Sequence, residues 1–164
     1  MTRVVDECAA IALAWLADGI MERFADDPLG TLCNDLKLTV RAVDHLDCSR
    51  TDGGASDGIS SLRDGVILYR STGNRRENFT LAHELGHWLV DRTDAIYDRL
   101  AELDDPTKML ETVCDRIARL LLLPDDRIAE VLNSAVVEAR HVIALHDASS
   151  ASIPACGIAL KDRL

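Results

Sequence analysis

Two histidines four residues apart, with a glutamate directly after the first, lie in His83-Glu84-Leu85-Gly86-His87, inside the unbroken stretch Phe79 to Val90. On an α-helix four residues turn the chain by about 400°, which stacks the two imidazoles on one face about 6 Å apart. Such a pair can reach one Zn²⁺ at about 2.0–2.1 Å per nitrogen. Glu84 stands about 100° round the same helix, where its carboxylate can deprotonate an attacking water without being a ligand. Leu81, Leu85, Trp88 and Leu89 supply an apolar face that fixes such a helix. Gly86 costs a helix about 1 kcal/mol relative to alanine, which points to a close neighbour behind the metal.

A hydrolytic zinc needs a third protein ligand and an open position. The longer pattern HExxHxxGxxH would place Gly at 90 and His at 93, but the chain has Val90 and Thr93. The third ligand must then come from a later segment. Glu111 and Asp115 sit four apart and face one way. A helix antiparallel to the first would bring Glu111 over the histidines, leaving Asp115 to support a ligand from behind or to ligate itself. Asp91, Asp94, Asp98, Glu102, Asp104 and Asp105 read as a solvated acidic connection.

The elements that must position these groups follow from periodicity. Apolar residues at helical spacing predict one helix over residues 3 to 25, ended by Asp26-Asp27-Pro28. A short helical turn is expected over 30–36, and Leu38 to Val43 alternates as a strand. Residues 47–58 are a Gly-, Ser- and Asp-rich loop. Ile59–Leu62 and Val66–Tyr69 flank Asp64-Gly65 and predict a hairpin. Helices follow over about 79–90, 107–123 (stopped by Pro124) and 125–145, the last carrying Ile128, Val131, Leu132, Ala135, Val136, Ala139, Val142 and Ile143 as one stripe. A short helical segment closes the chain.

The 164 residues carry a net charge of −10 and are 48% hydrophobic, which suits a folded α+β domain and excludes a disordered chain. The acidic balance argues against direct nucleic-acid binding, which needs cations to displace counterions from phosphate. Five scattered cysteines without a CxxC fit a reducing cytoplasm rather than a disulfide framework. The apolar run Cys8–Ala17 follows Asp6-Glu7 and is too short to span a bilayer, so a buried helix is expected and no membrane association.

Arg76-Glu-Asn-Phe79-Thr-Leu-Ala-His-Glu-Leu-Gly-His87, followed by Glu111-x-x-Cys114-Asp115-x-Ile117-Ala118-x-x-Leu121-Leu122-x-Pro124, resembles the ImmA/IrrE metallopeptidases. The final Lys161-Asp-Arg-Leu164 is similar to the arginine-leucine ending of that family. The chain departs from the pattern in one extra residue between Arg76 and Phe79, in Cys114 where alanine is usual, and in Ile117 for phenylalanine. None of these removes a ligand or the base. The resemblance implies His83, His87 and Glu111 as zinc ligands (Mn²⁺ or another divalent ion being chemically admissible) and Glu84 as general base. It also implies a mostly helical zincin-like domain with a small antiparallel β-sheet before the metal helix. That single domain would occupy residues 1–164, with an N-terminal helix, strand and loop over 1–55, a zinc-site core over 56–124 and C-terminal helices over 125–164.

By the same resemblance the expected activity is that of a zinc endopeptidase cleaving a helix-turn-helix transcriptional repressor, relieving repression of phage, mobile-element or stress genes. The rival is a non-cleaving anti-repressor or toxin–antitoxin protein with a structural zinc. Glu84 separates the two, because a zinc kept only for folding needs no carboxylate poised beside it. Tyr97 and His141 are the candidates for stabilising an oxyanion, while His45 and His146 have no partner spacing.

Overall fold

The computed structural model describes residues 2–44, 46, 58–61, 64–133, 136–161 and 163. His45, most of the 47–58 loop, Leu62, Arg63, Ala135 and Leu164 lie outside the described residues. The described elements are α1 (Thr2–Leu13), α2 (Ile20–Asp26), α3 (Pro28–Gly30) running into a π-helical turn (Thr31–Asp35), β1 (Thr39–Val43), β2 (Gly58–Ser61), β3 (Val66–Arg70), α4 (Arg76–Asp91), α5 (Asp94–Ala101), α6 (Pro106–Leu122), α7 (Asp125–Leu132), α8 (Ala139–Asp147) and α9 (Ile153–Lys161). This is a mostly helical α+β fold.

The sheet has strand order β1-β3-β2. β2 and β3 form the expected antiparallel hairpin, with Ile59 opposite Leu68. β1, however, runs parallel to β3, with Val40 opposite Ile67, so the sheet is mixed rather than antiparallel. β2 lies on the far side of β3 from β1, so the hairpin's second strand is the central one.

Three helix expectations are corrected. The stripe over 3–25 breaks between α1 and α2, where Gly19 takes a left-handed φ of 77° and Trp15 turns out to solvent at 61% exposure. The stripe over 125–145 breaks after α7, where Asn133 adopts φ 43° as a left-handed C-cap. Glu138 then opens α8 from an extended conformation in a capping box with His141. In the acidic stretch, Ile96 and Leu100 are four apart and fully or nearly buried, and they anchor α5 while its acids stay exposed. Thr93, where the longer zinc pattern would need a histidine, is buried and donates its hydroxyl to the Leu89 carbonyl at 3.2 Å.

α6 is the spine. Asp105 caps it by accepting from the Lys108 amide at 3.1 Å, Pro106 starts it, and Pro124 follows its last turn. Its buried Val113, Cys114, Ile117, Ala118, Leu121 and Leu122 join Cys8, Ala9 and Ala12 of α1, Phe24 of α2, and Leu81, Leu85 and Leu89 of α4 in one core. The Cys8–Ala17 run therefore supplies buried helix, as expected, only as far as its first turns.

Candidate metal centre

α4 is fixed at its start before it presents any chemistry. The Glu77 carboxylate accepts from the amides of Thr72 (2.9 Å) and Gly73 (3.2 Å), folding the turn back on the helix. Arg75 donates to the carbonyls of His146 and, at 2.8 Å, Ser149, and Asn78 donates to the Ser150 carbonyl at 2.8 Å. The α8–α9 connection is thereby stitched to the first turn of α4. Further along, Leu81, Leu85 and Leu89 face the core and put His83 and His87 on the flank turned to α6.

α4 and α6 pack closely because Gly86 lies opposite Cys114. A Cβ on residue 86 would meet the Cys114 Cα at 3.2 Å and its carbonyl oxygen at 3.3 Å. Cys114, at the position where the motif has alanine, is buried and packs there.

The approach brings Glu111 over the histidine pair. The two Nε2 atoms stand 3.1 Å apart. One Glu111 carboxylate oxygen lies 3.4 Å from His83 Nε2 and the other 3.4 Å from His87 Nε2. Donors bonded to one cation at about 2.0–2.1 Å with tetrahedral angles stand about 3.3–3.4 Å apart, so the set has the size of a cation's shell. His83, His87 and Glu111 form a group able to hold a metal ion. Imidazole–imidazole–carboxylate is a donor set for a divalent ion. Side-chain exposure rises from 9% for His83 to 20% for His87 and 25% for Glu111, so the donor cluster is open on the Glu111 side.

Asp115, one turn along α6, accepts from His83 Nδ1 at 2.9 Å. With a proton held there, it is the Nε2 proton that an incoming cation displaces, which leaves the Nε2 lone pair facing the donor cluster. Burial works against a charged His83 imidazole, but Asp115 and Glu111 outweigh it and push its pKa up to about 9. Asp115 thus stands behind a donor and outside the three-residue group.

Glu84 is buried at 6% exposure beside His83. Its carboxylate lies under the first residue of β2: a Cβ on Gly58 would come within 2.7 Å of Glu84 Oε1 and of Thr80 Cγ2. In the sequence Gly58 reads only as the end of a loop, and nothing there tells its close approach to Glu84 from the surrounding turn glycines. Of the remaining candidates, His141 accepts from the Glu138 amide at 3.0 Å and caps α8, and Tyr97 sits 41% exposed on α5. His146 bonds the Ala151 carbonyl at 3.0 Å.

The profile of the IrrE N-terminal-like domain, Peptidase_M78, matches residues 33–150. The radiation response metalloprotease IrrE of Deinococcus radiodurans is 35% identical over 86 residues, 48% of this chain. The matched stretch spans a quarter of that relative's length. The profile runs through β1, the hairpin, both metal-site helices and α8, so the match takes in every element that builds the donor cluster as well as the motif itself. With the profile covering most of its length, this chain belongs to the IrrE N-terminal-like domain family.

Proposed function

We propose that the chain is a metal-dependent endopeptidase in which His83, His87 and Glu111 hold one divalent cation, zinc before manganese, and Glu84 moves the protons. The observation that carries this reading is the convergence of two imidazoles and a carboxylate at cation-shell spacing beside a buried glutamate. The cation, when bound, would polarise the scissile carbonyl and acidify the attacking water. Glu84 takes the proton from that water and passes it to the leaving amine. Its burial keeps the carboxylate out of bulk water, and the covering β2 backbone fixes where it points. Asp115 holds the His83 tautomer. β2 has β3 on one side and no second strand neighbour among the described residues, so an extended substrate can pair along its outer edge, next to Glu84.

The substrate in this reading is a helix-turn-helix repressor in the cytoplasm, and cleavage relieves repression. Two things support it. The relative's name ties that metalloprotease to a radiation response. The chain's charge of −10 favours encounter with a basic, DNA-binding partner.

The test compares wild type with Glu84→Gln on a repressor encoded nearby. Wild type with zinc is expected to cut it, and Glu84→Gln to bind zinc and repressor yet lose cleavage by about a hundredfold or more. Equal relief of repression by both proteins would overturn the protease reading in favour of sequestration.

A further inference from the structure

α9 is apolar all round, with no charged residue between Ile153 and Leu160. A helix of that kind is ordinarily covered on every side. Cys156 and Leu160, four apart, lie in the core. Pro154, Ala155 and Ile158 are centred about 180° round the helix from them. These three form one wall of a cavity of about 480 Å³, and Ile158 is 47% exposed there. The volume lies within the range of about 300–1,000 Å³ typical of ligand pockets. Arg76 and Arg119 also line the cavity, but each has an interaction of its own, so the surface left to recognise a side chain is the apolar one.

The cavity adjoins the metal donors through Phe79, which lines it from α4. Phe79 stands one turn before His83, and the two ring centroids are 6.4 Å apart. At 100° per residue, Phe79 lies about 40° to one side of His83 and Glu84 about 100° to the other. A polypeptide lying beside Glu84 and passing over the donor pair therefore arrives at Phe79. The family profile ends at residue 150, before α9 begins, so the α9 wall lies outside the matched pattern.

We propose that this cavity selects the substrate by taking one large uncharged apolar side chain, of the size of leucine or phenylalanine, from a residue beside the scissile bond. The proposal rests on the endopeptidase reading for the nature of the ligand. Phe79 ties the pocket to the metal helix, and α9 sets what fits. The occupant covers the outward side of α9 and the ring of Phe79, and water leaves both surfaces. Because the α9 wall lies beyond the matched residues, the preference belongs to this chain and not to the motif that builds its donor cluster.

The test is a binding measurement that needs no turnover. Zinc-loaded, full-length Glu84→Gln protein is titrated into fluorescent heptapeptides of Gly, Ser and Gln that differ only at the central residue, which is Leu, Phe, Ala, Ser or Asp. The Leu and Phe peptides are expected to bind at least about tenfold tighter than the Ala and Ser peptides. Ile158→Lys places a cation on the open wall and should turn the preference towards Asp, a swap that misfolding cannot produce. Ala155→Leu narrows the cavity and should lose Phe before Leu. Equal binding of all five peptides, or a Leu/Phe preference that both variants retain, would overturn the pocket. So would concentration-dependent self-association of the wild type abolished by Ile158→Lys, which would assign the surface to a second copy. Cleavage by the wild type is scored separately. Hydrolysis without the side-chain preference leaves the endopeptidase reading standing and removes the pocket, whereas the preference without hydrolysis removes that reading alone.

Discussion

At the scale of single residues, the centre works through a division of labour among groups a few ångströms apart. Asp115 contacts the Nδ1 side of His83 and not the donor cluster. Asp115→Asn should therefore lower zinc affinity by about 10–100-fold without abolishing it, as read by chelator competition. Unchanged affinity would leave Asp115 with no supporting role. In the metal-free protein His83 holds its proton up to about pH 9, so proton and cation compete for it. Below that pH zinc uptake should release a proton, measurable as a buffer-dependent heat, and affinity should climb with pH until it levels off above about 9. A zinc affinity flat from about pH 6 to 9 would contradict this. The histidine pair and Glu84 are legible in the sequence because helical rise and turn alone stack positions 83 and 87. Glu111 is only one of several spaced acids until the motif around it suggests its role, since spacing within α6 says nothing about which turn of α4 it meets.

At the scale of elements, two glycines set how close backbones come to the site. Gly86 lets α4 rest on Cys114, with backbone atoms that cannot rotate away. Gly86→Val should overpack this crossing, cost about 1–3 kcal/mol in denaturant unfolding, and weaken zinc binding by shifting Glu111. Gly58 differs in what it meets: an added Cβ there would come within 2.7–2.8 Å of Glu84 Oε1 and Cγ and of the Thr80 methyl, side-chain rather than backbone atoms. Gly58→Ala should overpack this contact, cost about 1–3 kcal/mol, and push the Glu84 carboxylate aside, lowering kcat more than KM in the protein that remains folded. An unchanged kcat would mean that β2 does not position the base. The role of Gly86 can be anticipated, since a glycine inside a metal helix has a cost that needs an explanation. The two over-long helices come from apolar stripes that continue across Asp18-Gly19 and Asn133, the points where the backbone turns left-handed. α5 is hidden in the sequence because its two core contacts, Ile96 and Leu100, lie within the stretch 91–105 that carries six acids.

At the scale of the whole molecule, α6 links stability to chemistry. The same helix that carries Glu111 and Asp115 on one flank buries Ile117 and Leu121 fully among α1, α2 and α4. Ion pairs tie α1 to this frame, Arg116 to Asp6 at 2.8 Å and Arg99 to Glu7 at 2.7 Å, but they are half-exposed and contribute little beside the core. Leu121→Ala should cost about 2–5 kcal/mol. Zinc at about a thousand times its Kd should return about 4 kcal/mol, because the unfolded chain has no preformed site. The fold class is legible from the order of helical and alternating segments. The parallel pairing of β1 is not, because strand order depends on where the connection of residues 44–57 carries the chain, and alternation within a strand carries no information on that. No helix among the described residues is long and apolar enough to cross a membrane.

The central claim is that His83, His87 and Glu111 hold one cation, and metal stoichiometry tests it most directly. Wild type and Glu111→Ala, purified in parallel, would be dialysed against zinc and assayed by elemental analysis, with circular dichroism confirming the fold. The account predicts about one zinc per wild-type chain and an affinity lowered at least about a hundredfold in Glu111→Ala, with helical content retained. A folded wild type that takes up no metal, or a Glu111→Ala protein that binds zinc as tightly as wild type, would contradict it.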